Sequence, residues 1–347
     1  MNSLQELARI AKAYAKAIRK KDSVVFVNDE CVDQALEWLE RDFRDLVMLG
    51  IKDTDQIPHS LLAKLRKVPR IVWMSVDKMA AHGRAIDVEL ANPVTGKTMT
   101  GSSSGSVVNI LHGITDAAVA TDGGGSILAP ALSAGLVGIN GKGMGMHGQD
   151  VKVSTDGFEF SPGIGVLGRD FETALFVFES MLGTSAGSLT MPIRAALSKN
   201  ALERIPGPIK NQFTEIVTFE LKEYSSRNKG IEFLDSLFKN YVNLVISYEG
   251  PVDQRGLGDS IIGGNEQDAS GKYLLKCGNI VNATSIAIPS AETGCGFIIQ
   301  TPKGIENGIM ALTTSLELSK SVGPTDIYKE YFRKMAYEQH KGFLQNI

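Results

Sequence analysis

The chain has 347 residues, of which 43% are hydrophobic and 22% charged, and this composition predicts a globular protein with a large apolar core. Its formal net charge of −3 lacks the positive excess expected of proteins that bind nucleic acid or an anionic membrane surface. The cysteines at 31, 277 and 295 have neither CxxC nor metal-ligand spacing. We therefore expect buried thiols in a reducing cytoplasm, with no metal and no cofactor.

The first 21 residues predict an amphipathic helix. Apolar side chains recur at helical spacing between Leu4 and Ile18, and three basic residues follow at 19 to 21, where cations suit the end of a helix. The segment has no apolar run typical of a signal peptide, and no run in the chain is long enough for a membrane span. We expect this helix to pack against the core.

Strand and helix patterns alternate along most of the chain. The apolar runs VVFV, LVML and IVWM precede the glycine-rich segment, and helical patterns separate them as far as Gly183. Residues 188 to 249 are predicted to be mostly helical, and the segment Ser285–Gly304 predicts two strands around a turn at Gly294. A helix is expected from Ile305 to Ser319. No linker interrupts these patterns, so the sequence predicts a single α/β domain over residues 1–347.

Two serine-bearing glycine loops, GSSSGS and TDGGGS, lie between residues 101 and 126. Consecutive glycines at 123, 124 and 125 allow the backbone to present its N–H groups to a ligand, as an oxyanion hole requires. Ser126 follows them directly and has the position of an acyl-transfer nucleophile. A flexible linker is a poor alternative, because the apolar runs VVNIL, AAVA and SILAPAL predict burial. The apolar residues 107–112 and 114–119 predict a buried helix between the loops.

This segment resembles the amidase signature family, in which two such loops hold a Ser-Ser-Lys triad. The serines at 102 and 126 are 24 positions apart, which is the separation usual in the family. The resemblance implies that Ser126 is the nucleophile, Ser102 the bridging serine and Lys52, in LVMLGIKD, the base. It further implies an oxyanion hole and a mixed central sheet sandwiched by helices. Residues 22–185 and 278–320 carry the resemblance, and a variable helical insertion is expected at about 188–277. The implied oxyanion hole and supporting residues are Gly123, Gly124, Gly125, Ser103, Thr121 and Asp122.

Lys52 can act as a base only if burial lowers the pKa of its amine. Asp53 follows it directly, but adjacent side chains of a strand leave opposite faces, so we expect Asp53 to point away. Lys52 and Ser102 are 50 positions apart, fewer than is usual in the family. Lys78 and Lys97 therefore remain alternative bases.

Other departures from the family's sequence pattern leave open whether the protein is an active amidase. Leu128 stands where the family has an arginine expected near Asp122, and Ser104 stands where glycine is common. An inactive binding or assembly protein, or an acyl or amido transferase, is therefore an alternative to an amidase acting on non-peptide C–N bonds. GSSSG also fits a nucleophile elbow with Ser103 as nucleophile, but a buried strand should precede that motif and NPVTGKTMT is polar. The expected partner is a small-molecule amide, with neither nucleic acid nor membrane, and a homo-oligomer is compatible with the sequence.

Overall fold

A computed structural model describes residues 2–154, 157–183, 185, 187, 191–257 and 270–331. The helices of this part of the chain are α1 (Ser3–Arg19), α2 (Cys31–Glu40), α3 (His59–Leu65), α4 (Ser104–Leu111), α5 (Leu128–Ser133), α6 (Phe171–Leu182), α7 (Lys199–Arg204), α8 (Gly207–Lys210), α9 (Arg227–Lys239) and α10 (Ile305–Ser321). None of the helices in these residues is long and apolar enough to cross a membrane.

Fifteen strands occur in the same residues, and eleven of them form one mixed sheet in the order β1-β3-β2-β6-β10-β7-β14-β15-β13-β11-β12. Their bounds are β1 (Val24–Val27), β2 (Val47–Lys52), β3 (Ile71–Asp77), β4 (Ile86–Ala91), β5 (Thr98–Thr100), β6 (Ala117–Asp122), β7 (Val137–Asn140), β8 (Lys152–Val153), β9 (Glu159–Phe160), β10 (Gly163–Gly168), β11 (Ile193–Ser198), β12 (Phe213–Phe219), β13 (Leu244–Glu249), β14 (Thr284–Pro289) and β15 (Gly296–Thr301). The remaining strands form the small pairs β4-β5 and β8-β9.

The inner strands of the large sheet are buried on both faces, whereas the edge strands β1 and β12 are partly exposed. Strand β6 alternates between two apolar clusters: Ala117 and Val119 pack in one with residues of α6 and α10, whereas Ala118 and Ala120 pack in the other with residues of α4 and α5. A strand covered on both faces is expected to be apolar throughout, as β6 is before its last two residues. The predicted α/β fold, with a mixed central sheet sandwiched by helices, is confirmed.

The elements predicted at the two ends of the fold are present. Helix α1 ends at Arg19, and its residues Ile10, Ala13 and Ala17 are buried in a cluster with residues of α2 and β3. Strands β14 and β15 pair antiparallel around a turn in which Gly294 has a φ of +74°, and α10 follows them. The sequence patterns therefore predicted these helices and strands correctly.

Two predictions of helix are wrong. The segment predicted to be mostly helical contains β11, β12 and β13, which extend the central sheet to its end. After the first glycine-rich loop, α4 ends at Leu111 and residues 117–122 form β6 instead of continuing a helix. Short apolar runs such as IRAALS or AAVA fit a buried strand as well as a buried helix, and periodicity does not separate the two.

A buried ion cluster ties α1 to the start of β6. The Asp116 carboxylate accepts hydrogen bonds from the Arg9 guanidinium at 2.8 and 3.1 Å and from Met48 N at 2.9 Å. Arg169 also pairs with this carboxylate. Removing one partner of a buried pair leaves the other charge uncompensated, which costs more than losing an exposed pair.

We therefore expect Asp116→Ala to lower the free energy of unfolding by about 3 kcal/mol, measured by urea denaturation. Glu37→Ala is the matched control, because its pair with Arg41 at 3.4 Å is exposed on α2 and should contribute less than about 1 kcal/mol. Equal losses for the two variants would contradict a structural role for Asp116.

Candidate active site

The candidate site lies where β2 and β6 end. The two strands are parallel neighbours, with Ile51 opposite Val119, so their carboxyl ends reach the same side of the sheet. Lys52 is the last residue of β2, and Asp122 is the last residue of β6. The glycine loop follows β6 directly and leads into α5, which begins at Leu128. Residues far apart in sequence therefore meet at one point.

Lys52 is only 2% exposed and contacts the first serine loop directly. Its Nζ lies 2.7 Å from Ser102 Oγ, 3.0 Å from Thr121 Oγ1 and 3.2 Å from Thr121 O. A neutral amine has two N–H groups and one lone pair. It can donate to both Thr121 oxygens while it accepts the proton of the Ser102 hydroxyl. An ammonium group has three donors and no acceptor, so it would instead donate to Ser102.

Burial lowers the pKa of Lys52 to about 7, because the charged amine loses its hydration. The Asp122 carboxylate opposes this shift, and the positive charge of Lys152 adds to it. A substantial part of the Lys52 amine is therefore neutral near pH 7.

The neighbouring and alternative residues have other surroundings. Asp53 is exposed while Lys52 is buried, because Asp53 lies just beyond the end of β2 at Lys52. Lys78 pairs with Asp87 and with Glu89; although partial burial opposes the shift, these pairs raise the pKa of its amine. Lys97 donates a hydrogen bond to Gln254 O. Of these lysines, only Lys52 contacts Ser102.

The first loop places Ser102 beside Ser126. Gly101 has a φ of +77°, and a Cβ atom there would lie 2.5 Å from the Pro130 ring, so the turn requires glycine. Ser102 follows with 4% exposure, and its N–H donates to Ser126 Oγ at 3.4 Å. The structure thus brings together all three residues of the predicted triad.

Asp122 shapes the second loop through the backbone. Its carboxylate accepts hydrogen bonds from Gly125 N at 2.6 Å and from Ile127 N at 2.7 Å, and it is 1% exposed. The Gly125 N–H is therefore already bound, which corrects its prediction as an oxyanion donor. Gly123 N and Gly124 N donate to none of the described residues and remain candidates for that role.

The absence of an arginine at position 128 is compensated locally. Leu128 is 1% exposed in the apolar core, and the Asp122 carboxylate is held by backbone N–H groups instead. Burial lowers the pKa of Lys142 to about 8, and the charge of Asp122 opposes this shift. Asp122 therefore has two lysines, Lys52 and Lys142, within electrostatic reach.

Ser103 and Ser104, the other serines named in the sequence analysis, lie outside the reacting centre, and so does His147. Ser103 is fully buried, and its Oγ has no hydrogen-bond partner among the described residues, so it does not fit an exposed nucleophile. Ser104 Oγ donates to Asp87 at 2.6 Å, which explains the serine at this position. His147 lines a separate pocket beside Pro58 and Leu61.

The triad residues open into a cleft of about 710 Å³. Two residues that the sequence analysis did not identify support its floor: Arg227 donates to Gly123 O at 3.2 Å, and Asn279 donates to the same oxygen at 3.4 Å. Arg227 comes from the segment 188–277, in which no resemblance to the family was recognised, and Asn279 lies at the start of the segment 278–320, in which one was. Residues 258–269 lie outside the described residues, and Ser270 and Lys272, which follow them, line the cleft.

The sequence model of the Amidase family matches residues 90–204, which include both serine loops. No curated protein is significantly similar to the chain in sequence. Among solved structures, a peptide amidase from Stenotrophomonas maltophilia has a TM-score of 0.60 and 14% identity, covering 93% of this chain and 94% of that one.

Two further structures are similar over most of the chain. A bacterial aryl acylamidase of the amidase signature family has a TM-score of 0.61 and 12% identity, covering 97% of this chain and 95% of that one. The allophanate hydrolase of Kluyveromyces lactis has a TM-score of 0.62 and 14% identity, covering 93% of this chain and 71% of that one. These likenesses show the fold. With the family match they confirm the predicted resemblance to the amidase signature family. The family match over residues 90–204 supports amide hydrolysis in general terms.

From the lowered pKa of Lys52 we predict a pH dependence of the free energy of unfolding, which can be measured without an activity assay. Between pH 7 and 10.5 the unfolded chain holds a proton on this lysine that the folded chain lacks, so its contribution to the free energy of unfolding rises with pH. Lys52→Met removes this contribution. We expect the free energy of unfolding of the variant, minus that of the wild type, to fall by about 1 kcal/mol for each pH unit between pH 8 and 9.5. Urea denaturation across this range measures the difference, and a difference that does not change with pH would contradict the lowered pKa.

Proposed function

We propose that this chain hydrolyses the carboxamide bond of a small molecule through Ser126, Ser102 and Lys52. The chain has the amidase signature fold, and one segment of it matches the Amidase family. The observation that carries this proposal is the buried Lys52 amine, 2.7 Å from Ser102 Oγ and with a pKa lowered to about 7. A lysine with a purely structural role gains nothing from being held neutral in the interior, whereas strongly shifted pKa values are typical of functional sites.

In the proposed first step, Ser126 Oγ attacks the carbonyl carbon of the amide. Ser126 gives its proton to Ser102 Oγ as Ser102 gives its own proton to the neutral Lys52 amine. For this transfer Ser126 Oγ turns from the Ser102 N–H, its partner at 3.4 Å, toward Ser102 Oγ. The negative carbonyl oxygen is stabilised by backbone N–H groups, for which we propose Gly123 and Gly124.

The proton then returns along the same path. Lys52 gives it back through Ser102 to the leaving nitrogen, the C–N bond breaks, and ammonia or an amine departs. Water then attacks the acyl ester of Ser126 and gives a proton to the same relay. The bond between the acyl carbon and Ser126 Oγ breaks, the relay returns the proton to Ser126 Oγ, and the carboxylic acid is released. The two half-reactions return every group to its starting protonation state.

The Asp122 geometry favours an active protein over the inactive alternative. The carboxylate keeps the glycine loop in its bent form through Gly125 N and Ile127 N, so the missing arginine at position 128 does not leave it unsatisfied. Transfer of the acyl group to an amine or alcohol uses the same acyl intermediate, and product analysis in the presence of added hydroxylamine separates it from hydrolysis.

The assignment of the nucleophile is tested by covalent labelling. A fluorophosphonate should label Ser126 of the wild-type protein, as identified by peptide mass spectrometry, and should not label Ser126→Ala. With a panel of primary amides, anilides and esters, Ser126→Ala should lose at least about 10⁴-fold in kcat. Ser102→Ala should lose about 10²–10³-fold.

Ser103→Ala is the control, because Ser103 Oγ is buried away from the cleft. Labelling or turnover that survives Ser126→Ala, or that is lost with Ser103→Ala instead, would contradict the assignment.

The role of Lys52 is tested by the pH dependence of kcat/KM. Only the neutral amine accepts a proton, so kcat/KM should fall about tenfold per pH unit below an apparent pKa near 7. Lys52→Ala should abolish most activity, whereas Lys97→Ala, whose amine binds Gln254 O, should retain it. An acid limb that persists in the residual activity of Lys52→Ala would show that another group is titrating.

A further inference from the structure

A buried carboxylate at the end of β13 has no part in the proposed triad. Glu249 is the last residue of this strand, is 1% exposed and does not line the cleft. Its carboxylate accepts hydrogen bonds from Ser247 Oγ at 2.7 Å, from Tyr273 N at 2.7 Å and from Leu275 N at 3.1 Å. All three partners donate, which favours the carboxylate over the protonated acid.

The charge of Glu249 strengthens its hold on the backbone. Burial raises the pKa of Glu249 to about 7, because the charged form loses its hydration. The three hydrogen bonds and the positive charge of Lys276 oppose this rise. Hydrogen bonds to a charged group are stronger than those between neutral groups. Above neutral pH the carboxylate predominates, so it binds the two backbone N–H groups as a charged acceptor.

These two N–H groups belong to residues 273–276, which we call the wall segment. Gln300 binds the same segment from β15, donating to Leu274 O at 3.1 Å. The wall segment lies against the second glycine loop: a Cβ atom added at Gly125 would be 2.7 Å from Leu275 Cδ1 and 3.4 Å from Leu275 O. Gly125 therefore packs on the wall segment with no room for a side chain.

The wall segment is also connected to the start of the glycine loop. Arg227 Nε donates to Lys276 O at 3.1 Å, and Arg227 Nη2 donates to Gly123 O at 3.2 Å. Gly123 O and the Gly124 N–H belong to one planar peptide group, so a bond that holds the oxygen also sets the direction of the N–H. Asp122 binds the loop further on, at residues 125 and 127.

We propose that Glu249 is a positioning residue for the glycine loop. Its carboxylate holds the wall segment in place, and the wall segment in turn fixes Gly125 by packing and the Gly124 N–H through Arg227. The catalytic part of the inference rests on the proposed function, in which the Gly124 N–H stabilises the oxyanion. Donors that are already oriented stabilise the developing charge without a further cost of reorganisation.

Glu249→Gln tests this role with little change of shape. The amide nitrogen replaces one accepting oxygen and meets a donor, so one hydrogen bond is lost. At about pH 8, where Glu249 is mainly charged, hydrogen exchange measured by mass spectrometry should become about tenfold faster in residues 122–127 and in the wall segment. The rate constant for labelling of Ser126 by a bound fluorophosphonate should fall about tenfold, whereas the affinity for the fluorophosphonate should change less than about threefold.

Glu6→Gln is the matched control, because it makes the same exchange in another buried carboxylate. Glu6 lies on α1, is 1% exposed and does not line the cleft. It also accepts from two backbone N–H groups, Asp45 N at 3.2 Å and Leu46 N at 2.8 Å. This variant should lose stability but keep wild-type exchange in residues 122–127 and wild-type labelling.

Leu275→Ala is a second test, which applies even if Glu249→Gln does not fold. It keeps the carboxylate and its bonds to the backbone but removes the side chain that packs on Gly125, so labelling should slow at least about threefold.

Unchanged exchange in residues 122–127 of Glu249→Gln, or an equal change in Glu6→Gln, would overturn the inference. Labelling at the wild-type rate in Glu249→Gln or in Leu275→Ala would overturn it as well. Wild-type protein that the fluorophosphonate does not label would contradict the proposed hydrolysis instead, and the exchange comparison would still decide whether Glu249 positions the loop.

Discussion

The loss of water around one amine determines how the candidate site works. Lys52 ends a strand that is buried on both faces, and its Nζ is enclosed by Thr121 and Ser102. The charged form is costly there, so the amine can be a base at neutral pH without a histidine. The parallel pairing of β2 with β6, in which Ile51 lies opposite Val119, makes this possible, because it brings the Lys52 amine within hydrogen-bonding distance of Thr121 near the end of β6.

The surrounding charges limit how far the pKa of Lys52 can fall. Asp122 favours the charged amine, yet its carboxylate is bound by two backbone N–H groups and also acts on Lys142. Lys152 opposes Asp122 from the entrance of the cleft. One carboxylate therefore has two effects: it holds the glycine loop bent, and it offsets part of the effect of burial on the pKa of Lys52.

The sequence predicted the parts of the site that local patterns specify. The resemblance of the two glycine loops to the amidase signature family predicts Ser102 and Ser126, and the same resemblance implies Lys52 at the end of an apolar run. The strands β11 and β13 were missed because a short apolar run has the same appearance in a buried helix and a buried strand. The binding of Gly125 N–H by Asp122 depends on the exact bend of the loop, which composition does not determine. Arg227 and Lys152 reach the cleft only through tertiary packing, which leaves no periodic signal.

The order of strands in the sheet determines which parts of the cleft must come together over long sequence separations during folding. Lys52, Ser102 and Ser126 lie on the β2-β6 side of the sheet, whereas Arg227 and Lys276 come from segments before and after the later strand β13. Bringing together segments so far apart in sequence is slow, because the chain loses conformational entropy before the new contacts compensate for the loss. A refolding chain can therefore recover its central strands before it has a complete substrate cleft. Recovery of ligand binding should then report a later event than recovery of secondary structure.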